Sequence, residues 1–319
     1  MNYMMSVRRK TILVADAISP VGVSKLEEFC EVDCDYNITA TDIVERIADY
    51  NGLIVRSRTK VTSELIEIAD QLEVVGRCGV GVDNIDIDAC IQKGVVVVNS
   101  PRAPSIAVAE LTIGLMLSLA RSLPYCDREV KAGKWPKSEI KGFELYGKTL
   151  GLIAMGRIGT EVARLANAFN MRVIGSDPYV SKERFAECNV QAVDYDELLG
   201  EADYISIHAP LTKETVGMID MVTISNMKDG VRLISASRGG VINENDLLEG
   251  LESGKIAGAA LDVLEKEPPS PSKLLEHPNI IVTPHIGAQT IEAQDRAGID
   301  IANEVIAALD GQKLRWRIV

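Results

Sequence analysis

The feature that most limits what this chain can fold into is the texture of its apolar runs. Thr11–Asp16, Gly52–Ser57, Leu72–Arg77, Val95–Ser100, Leu150–Met155, Arg172–Asp177, Tyr204–Ala209, Arg232–Ser237, Ala259–Val263 and Asn279–Thr283 are short and bounded by Gly, Pro, Asn or Asp. Most are continuous in Val, Ile and Leu. A strand with one wet face alternates, so a strand without alternation is buried on both faces, as inside a parallel sheet covered by helices. Stretches with helical spacing lie between the runs, at Val23–Phe29, Ile43–Tyr50, Ile158–Phe169 and Glu244–Glu252 among others. Strand alternating with helix predicts an α/β fold built on parallel sheets.

Ten such strands exceed one small open sheet, and 319 residues suggest two domains at roughly 150 residues each. Ser105–Leu123 reads as a long apolar helix and Lys131–Gly147 as a connection containing Gly, Lys and Trp, and a new series of strands opens at Leu150. A helical tail, Ile291–Leu309, follows the last strand and can return to the first lobe. The expected layout is discontinuous, with residues 1–101 and 289–319 in one lobe and 102–288 in the other. Each lobe is expected to be a doubly wound parallel sheet, with a cleft between them as the ligand site.

Composition narrows the function. Lys and Arg number 34 against 46 Asp and Glu, a net charge of −12, which a nucleic-acid or anionic-membrane surface would repel. The longest apolar run, Leu111–Ala120, falls far short of the roughly 20 residues that span a bilayer. Met1–Val7 with Arg8, Arg9 and Lys10 places its charges before a single short strand and does not read as a signal peptide. The six cysteines form no CxxC pair, so reduced thiols and a cytoplasmic protein are expected. No set of His, Cys and carboxylates has metal spacing, and no Ser or Cys occupies a nucleophile elbow.

The sharpest local signal is Thr149-Leu-Gly-Leu-Ile-Ala-Met-Gly-Arg-Ile-Gly159, where a strand turns into a helix. In the GxGxxG dinucleotide pattern its three positions are Ala154, Gly156 and Gly159. Gly156 lets the backbone approach a pyrophosphate, whose charge meets the helix start at Arg157 and Ile158, and Gly159 permits close helix–strand packing. Ala154 costs some backbone freedom at the tight turn. The strand Arg172–Asp177 ends in an acid 18 residues past Gly159. A carboxylate there accepts hydrogen bonds from ribose hydroxyls and repels a 2′-phosphate, favouring NAD over NADP. The competing reading is a tight turn without a ligand.

Polar residues at other strand ends supply candidate chemistry. His285, in Thr-Pro-His-Ile-Gly-Ala, stands at the C-terminal end of the last strand, the edge that faces the ligand crevice in open α/β sheets. Arg238 follows Leu-Ile-Ser-Ala-Ser and Glu267 follows Leu-Asp-Val-Leu by a few residues. His208 ends a buried strand and reads as an imidazole satisfied near a cofactor, while His277 lies in a polar turn. Acid–base chemistry beside a nicotinamide ring fits this set. Neutral imidazole is a suitable base for a hydroxyl proton, a carboxylate on its other nitrogen favours imidazolium, and guanidinium is a planar fork for a carboxylate.

Gly-Lys-Thr-Leu-Gly with Gly156-Arg-Ile-Gly159, Ser237-Arg238-Gly239-Gly240, Ala260-Leu-Asp262-Val with Glu267-Pro-Pro, and Thr283-Pro-His285-Ile-Gly-Ala288 closely resemble the D-isomer-specific 2-hydroxyacid dehydrogenases. The match runs in order through nearly the whole chain. It implies a Rossmann nucleotide domain and a flavodoxin-like substrate domain. It also implies His285 as acid/base, Glu267 as its partner (Glu265 being out of register with Pro-Pro), and Arg238 on the substrate. The resemblance further places Asp262, Ala236, Ser237, His208, Ala209, Pro210, Gly287 and Ala288 around NAD. The glycine loop at Val80 and Gly81 offers backbone N–H groups to a carboxylate, and Asn99 lies at the hinge. A two-fold homodimer through the nucleotide lobes is implied, consistent with a helix at Ser105–Leu123 too apolar to face water all round.

For substrate, Arg56-Ser57-Arg58-Thr-Lys60 and Gly76-Arg77-Cys-Gly-Val-Gly-Val-Asp-Asn84 look like the D-3-phosphoglycerate dehydrogenases of serine biosynthesis. So do Lys131-Ala-Gly-Lys-Trp135 and the segment from Gly142 to Thr149. An acidic protein drawing in so charged a substrate needs a local cationic pocket, from Arg56, Arg77 and Lys137. The chain ends soon after its closing helix, so no C-terminal regulatory domain and no feedback through one are expected. Reduction of glyoxylate, hydroxypyruvate or pyruvate, or an NAD(H)-sensing role without turnover, stay open.

Overall fold

A computed structural model describes residues 9–319, and the N-terminal run Met1–Val7 with Arg8 lies outside the described residues. The chain divides into two compact units, Met1–Pro104 with Gln289–Val319 and Ser105–Ala288.

The first unit holds a five-stranded parallel sheet of β1 (Thr11–Val14), β2 (Glu31–Cys34), β3 (Gly52–Val55), β4 (Val74–Arg77) and β5 (Val96–Asn99) in the order β2-β1-β3-β4-β5. Register explains the unbroken apolar runs. Leu13, Leu53, Val75 and Val97 stand side by side across the sheet and enter one core, while Ile12, Ile54, Val74 and Val98 enter the core on the other face. The helix Ile291–Leu309 closes the second core with Ala297, Ile301, Ala302 and Val305. It crosses the helix Pro20–Glu27 so tightly that a Cβ on Gly22 would lie 2.7 Å from Gly298 backbone atoms.

The second unit holds β6 (Thr149–Ile153), β7 (Arg172–Ser176), β8 (Gln191–Ala192), β9 (Tyr204–Ile207), β10 (Val231–Ser235), β11 (Ile256–Leu261) and β12 (Ile280–Val282). All are parallel, in the order β12-β11-β10-β9-β6-β7-β8. Two cores again sandwich the sheet, with Ile205, Leu233, Ala259 and Leu261 on one face and Leu150, Leu152, Tyr204 and Ile234 on the other. The chain winds outward through β7 and β8, then restarts beside β6 with β9. The crevice at that reversal, beyond the strand C-termini, is where doubly wound sheets bind ligands.

The structure corrects the expected elements in two places. It adds the edge strands β2 and β8. The helix from Ser105 stops at Arg121, Ser122 adopts a left-handed φ of 50°, and a second helix, Leu123–Lys131, continues after a 63° bend. Proline at the start of that second helix suits a new first turn and not the interior of one long helix. Among the described residues no single helix is long and apolar enough to cross a membrane. All six cysteines are free.

Candidate active site

Because every strand of the larger sheet is parallel, the loops after β6, β7, β9, β10, β11 and β12 all emerge at one edge, and the polar residues singled out in the sequence sit in them. After β6 the backbone turns at Ala154, whose φ of 72° is left-handed, into the helix Arg157–Ala168 capped by Gly156 without any side-chain hydrogen bond. Space beyond Gly156 is open, whereas a Cβ on Gly159 would lie 2.5 Å from the Ala154 carbonyl oxygen. Asp177, just past β7, accepts hydrogen bonds from the Met155 N–H and the Tyr179 N–H, both at 2.8 Å. Its carboxylate therefore ties its own loop to the fingerprint turn.

After β9, the His208 Nε2 lies 2.9 Å from the Ser206 hydroxyl, and its Nδ1 is buried without a partner among the described residues. Burial pushes the His208 imidazole down to about 4, so it is neutral near pH 7. Ala209 is buried, and the exposed Pro210 accepts through its carbonyl from the Thr215 hydroxyl. After β10, Ala236 and Ser237 are buried and Arg238 donates to the Ser237 carbonyl at 2.7 Å. Gly239 is fixed sterically, since a Cβ there would fall 1.9 Å from the Leu264 carbonyl oxygen. The Arg238 loop is thereby pressed onto the segment that follows β11.

That segment and the one after β12 meet directly. His285 Nδ1 lies 2.8 Å from Glu267 Oε2, and the other Glu267 oxygen accepts from the Leu264 N–H at 3.1 Å. His285 has a left-handed φ of 54°, a conformation unusual outside glycine and one that persists where surroundings impose it. The imposing group is Asp262, which is 1% exposed. Its Oδ1 accepts from the Thr283 hydroxyl at 2.6 Å and the Ile286 N–H at 2.8 Å, and its Oδ2 from the Gly287 N–H at 2.8 Å. Asp262 thus clamps the histidine loop on both sides of His285. Sequence reasoning missed this clamp and the part of Thr283. The available signal was a carboxylate at the end of a buried strand, which must find donors.

In the first unit, Arg56 and the exposed Ser57 follow β3 and Arg77 ends β4. The Arg77 guanidinium donates to the Cys78 carbonyl at 2.9 Å and occupies the space where a Cβ of Gly79 would fall, at 1.9 Å. Asn99 donates to the Val80 carbonyl at 2.7 Å, and the Gly79 N–H donates to the Ser100 hydroxyl at 2.8 Å. These bonds shape the turn that carries Val80 and Gly81. Lys137 is exposed.

Residues 113–287 match the family described as D-isomer specific 2-hydroxyacid dehydrogenase, NAD binding domain. The chain belongs to this family.

Relatives of this chain include proteins named D-3-phosphoglycerate dehydrogenase from Methanocaldococcus jannaschii, 47% identical over 302 residues, and from Archaeoglobus fulgidus, 45% identical over 306. The alignments cover 94% and 95% of this chain and 58% of each relative, so the chain spans little more than half their length. Among solved structures, the TT0316 protein of Thermus thermophilus superimposes with a TM-score of 0.88 at 31% identity, covering 97% of this chain and all of that one. A glyoxylate reductase from Paecilomyes thermophila gives 0.89 at 28% identity, covering 97% and 98%.

NAD is the cofactor of such a domain, and the residues present fit it. Gly156 leaves open space at the helix start, which no side chain caps, and this suits the approach of a pyrophosphate. Asp177 stands just past β7, and among the described residues each of its oxygens accepts one hydrogen bond. The unpartnered His208 Nδ1 marks a buried polar atom near the fingerprint, with the ring 3.7 Å from where a Gly159 Cβ would be. Among the described residues no three His, Cys, Asp or Glu stand together as a metal site.

Proposed function

We propose that this chain oxidises D-3-phosphoglycerate to 3-phosphohydroxypyruvate with NAD, the first step of serine biosynthesis, and does so in the cytoplasm. The observation that carries the chemistry is the pairing of His285 with Glu267 at the ligand edge of an NAD domain. The likeness to relatives named D-3-phosphoglycerate dehydrogenase supports the substrate.

A carboxylate only accepts, so His285 Nδ1 carries the proton of that bond and neutral Nε2 is left with a lone pair. Nε2 takes the proton of the substrate C2 hydroxyl while the C2–H bond breaks. When bound, NAD supplies the acceptor for that hydride. The C–O bond becomes a carbonyl, and the imidazolium formed is balanced by Glu267. Arg238 offers parallel N–H groups to the substrate carboxylate and stabilises charge on the C2 oxygen in the reverse direction. Asp177 is the residue that disfavours a 2′-phosphate. The first unit contributes cationic and N–H groups for the anionic substrate, from Arg56, Ser57, Arg77, Val80, Gly81 and Asn99.

The proposed partner is a second copy, joined through the nucleotide unit. The helix Leu123–Lys131 buries none of its residues, and Leu123, Val130, Phe143 and Tyr146 are exposed in the same stretch, with Trp135 at 77%. An adjoining groove of about 510 Å³ is lined by Leu119, Tyr125, Phe143, Arg232, Ile280 and Ile281 among others.

The test is a substrate panel with both cofactors. NAD reduction with 3-phosphoglycerate, and NADH oxidation faster with phosphohydroxypyruvate than with glyoxylate, hydroxypyruvate or pyruvate, is expected. His285→Ala should lower kcat about 100-fold or more, the usual scale of general acid–base catalysis. Preference for an unphosphorylated oxo acid would overturn the substrate. Tight NADH binding with no turnover of any member would replace the enzyme with a sensor.

A further inference from the structure

In the smaller sheet the winding reverses between β1 and β3, and ligands of doubly wound folds collect at such a switch point. The carboxylate of Asp16, 4% exposed, sits there just past β1. Its Oδ2 accepts from the backbone N–H of Arg56 at 2.6 Å and of Thr59 at 3.1 Å. Its Oδ1 accepts from the Thr59 hydroxyl at 2.7 Å and from Arg58 Nε at 2.8 Å. From another side, the Asn84 amide donates to the carbonyls of Arg56 at 2.8 Å and Thr59 at 2.6 Å. Two side chains therefore hold the N–H and the C=O of both ends of the Arg56–Thr59 loop.

The clasp gives different roles to two arginines that one residue separates in the sequence. Besides Asp16, the Arg58 guanidinium donates to the Ile38 carbonyl at 3.0 Å and the Ala15 carbonyl at 2.5 Å. Its nitrogens are thus committed to protein oxygens, although the side chain stays 50% exposed. The Arg56 guanidinium makes one hydrogen bond among the described residues, a 3.4 Å contact with the Ala17 carbonyl. Charge follows the same division. Asp16 and Arg58 form an ion pair, so the buried carboxylate adds no uncompensated negative charge to a site meant for anions, and the positive charge of Arg56 stays available.

From this we infer that Asp16 is a positioning residue for substrate recognition. By fixing the loop backbone it holds Arg56 where it meets the charged tail of the substrate, with Asn84 and Arg58 as its supports. The inference rests on the phosphoglycerate reading, since only a substrate with a charged tail engages Arg56 in this way.

The experiment compares wild type, Asp16→Asn, Thr59→Val, Arg56→Gln and Asp16→Asn/Arg56→Gln with phosphohydroxypyruvate and with hydroxypyruvate. Asp16→Asn should raise KM for the phosphorylated acid about ten-fold more than for hydroxypyruvate, because lost positioning weakens binding of the tail and not the shared chemistry. Thr59→Val, which removes one of the four hydrogen bonds and is the milder lesion should Asp16→Asn fold poorly, should shift KM in the same sense by about two- to five-fold. In the Arg56→Gln background, Asp16→Asn should add less than about two-fold, the coupling expected of residues acting through one another. Equal losses on both substrates, or full additivity of the two substitutions, would reduce Asp16 to a structural role. Failure of wild type to turn over phosphohydroxypyruvate while reducing hydroxypyruvate would refute the reading itself, and the positioning role with it.

Discussion

Individual residues in this chain carry costs that the fold turns to use. Ala154 and His285 both hold left-handed backbone, which costs a non-glycine residue about 1–2 kcal/mol. At Ala154 the cost falls where the dinucleotide pattern has glycine; at His285 it aims an imidazole. His208 is costly in another way. Burial holds it neutral, with its pKa down to about 4, whereas an unfolded chain takes the proton near pH 6.5. Between those values the unfolded state binds more protons, so stability falls as pH drops from about 6.5 to 4 and this contribution levels off below. Denaturant midpoints measured across that window should slope more steeply for wild type than for His208→Asn, and parallel curves would contradict the burial argument. Of the site, the residues with a local signature were legible: the glycines of the fingerprint, Asp177 at its spacing, His285 after Thr-Pro. Asp16 and Asp262 were not read as clamps, because their partners are backbone N–H groups about 40 and 24 residues away and leave no motif.

At the scale of elements, legibility followed burial. Strands β1, β3 and β4 announce themselves because alternate residues enter different cores. Strands β2 (Glu-Val-Asp-Cys) and β8 (Gln-Ala) lie at sheet edges, are partly exposed, and lack an apolar run. The helix Glu244–Glu252 and the helix Ile291–Leu309 coincide with their expected spans, whereas the polar helix Leu123–Lys131 went unread because the apolar pattern ends at Leu123. The crossing of Pro20–Glu27 over Ile291–Leu309 depends on having no side chain at Gly22. Gly22→Ala should gain about 1 kcal/mol in helix propensity, yet lose more by forcing the helices apart, overpacking of this kind costing typically 1–3 kcal/mol. A denaturation midpoint below that of wild type is expected; one above it would show that the helices separate freely.

For the molecule as a whole, the proposed association draws on apolar side chains left exposed around the helix Leu123–Lys131. Leu123, Val130, Trp135 and Tyr146 are all exposed within one short stretch of sequence, and exposed apolar groups that gather mark contact surfaces. Light scattering after size exclusion should give twice the chain mass for wild type, and Trp135→Glu should shift the population toward the monomer; a wild-type monomer at micromolar concentration would end the two-fold proposal. The clasp at Asp16 has a consequence of a different sort. Its hydrogen bonds form within the protein alone, so the entropy of ordering the Arg56–Thr59 loop is lost during folding and not at each encounter with a ligand. A recognition loop frozen in advance binds quickly and discriminates by shape, and it leaves the chain little room to drift toward unrelated tails without first dismantling the clasp.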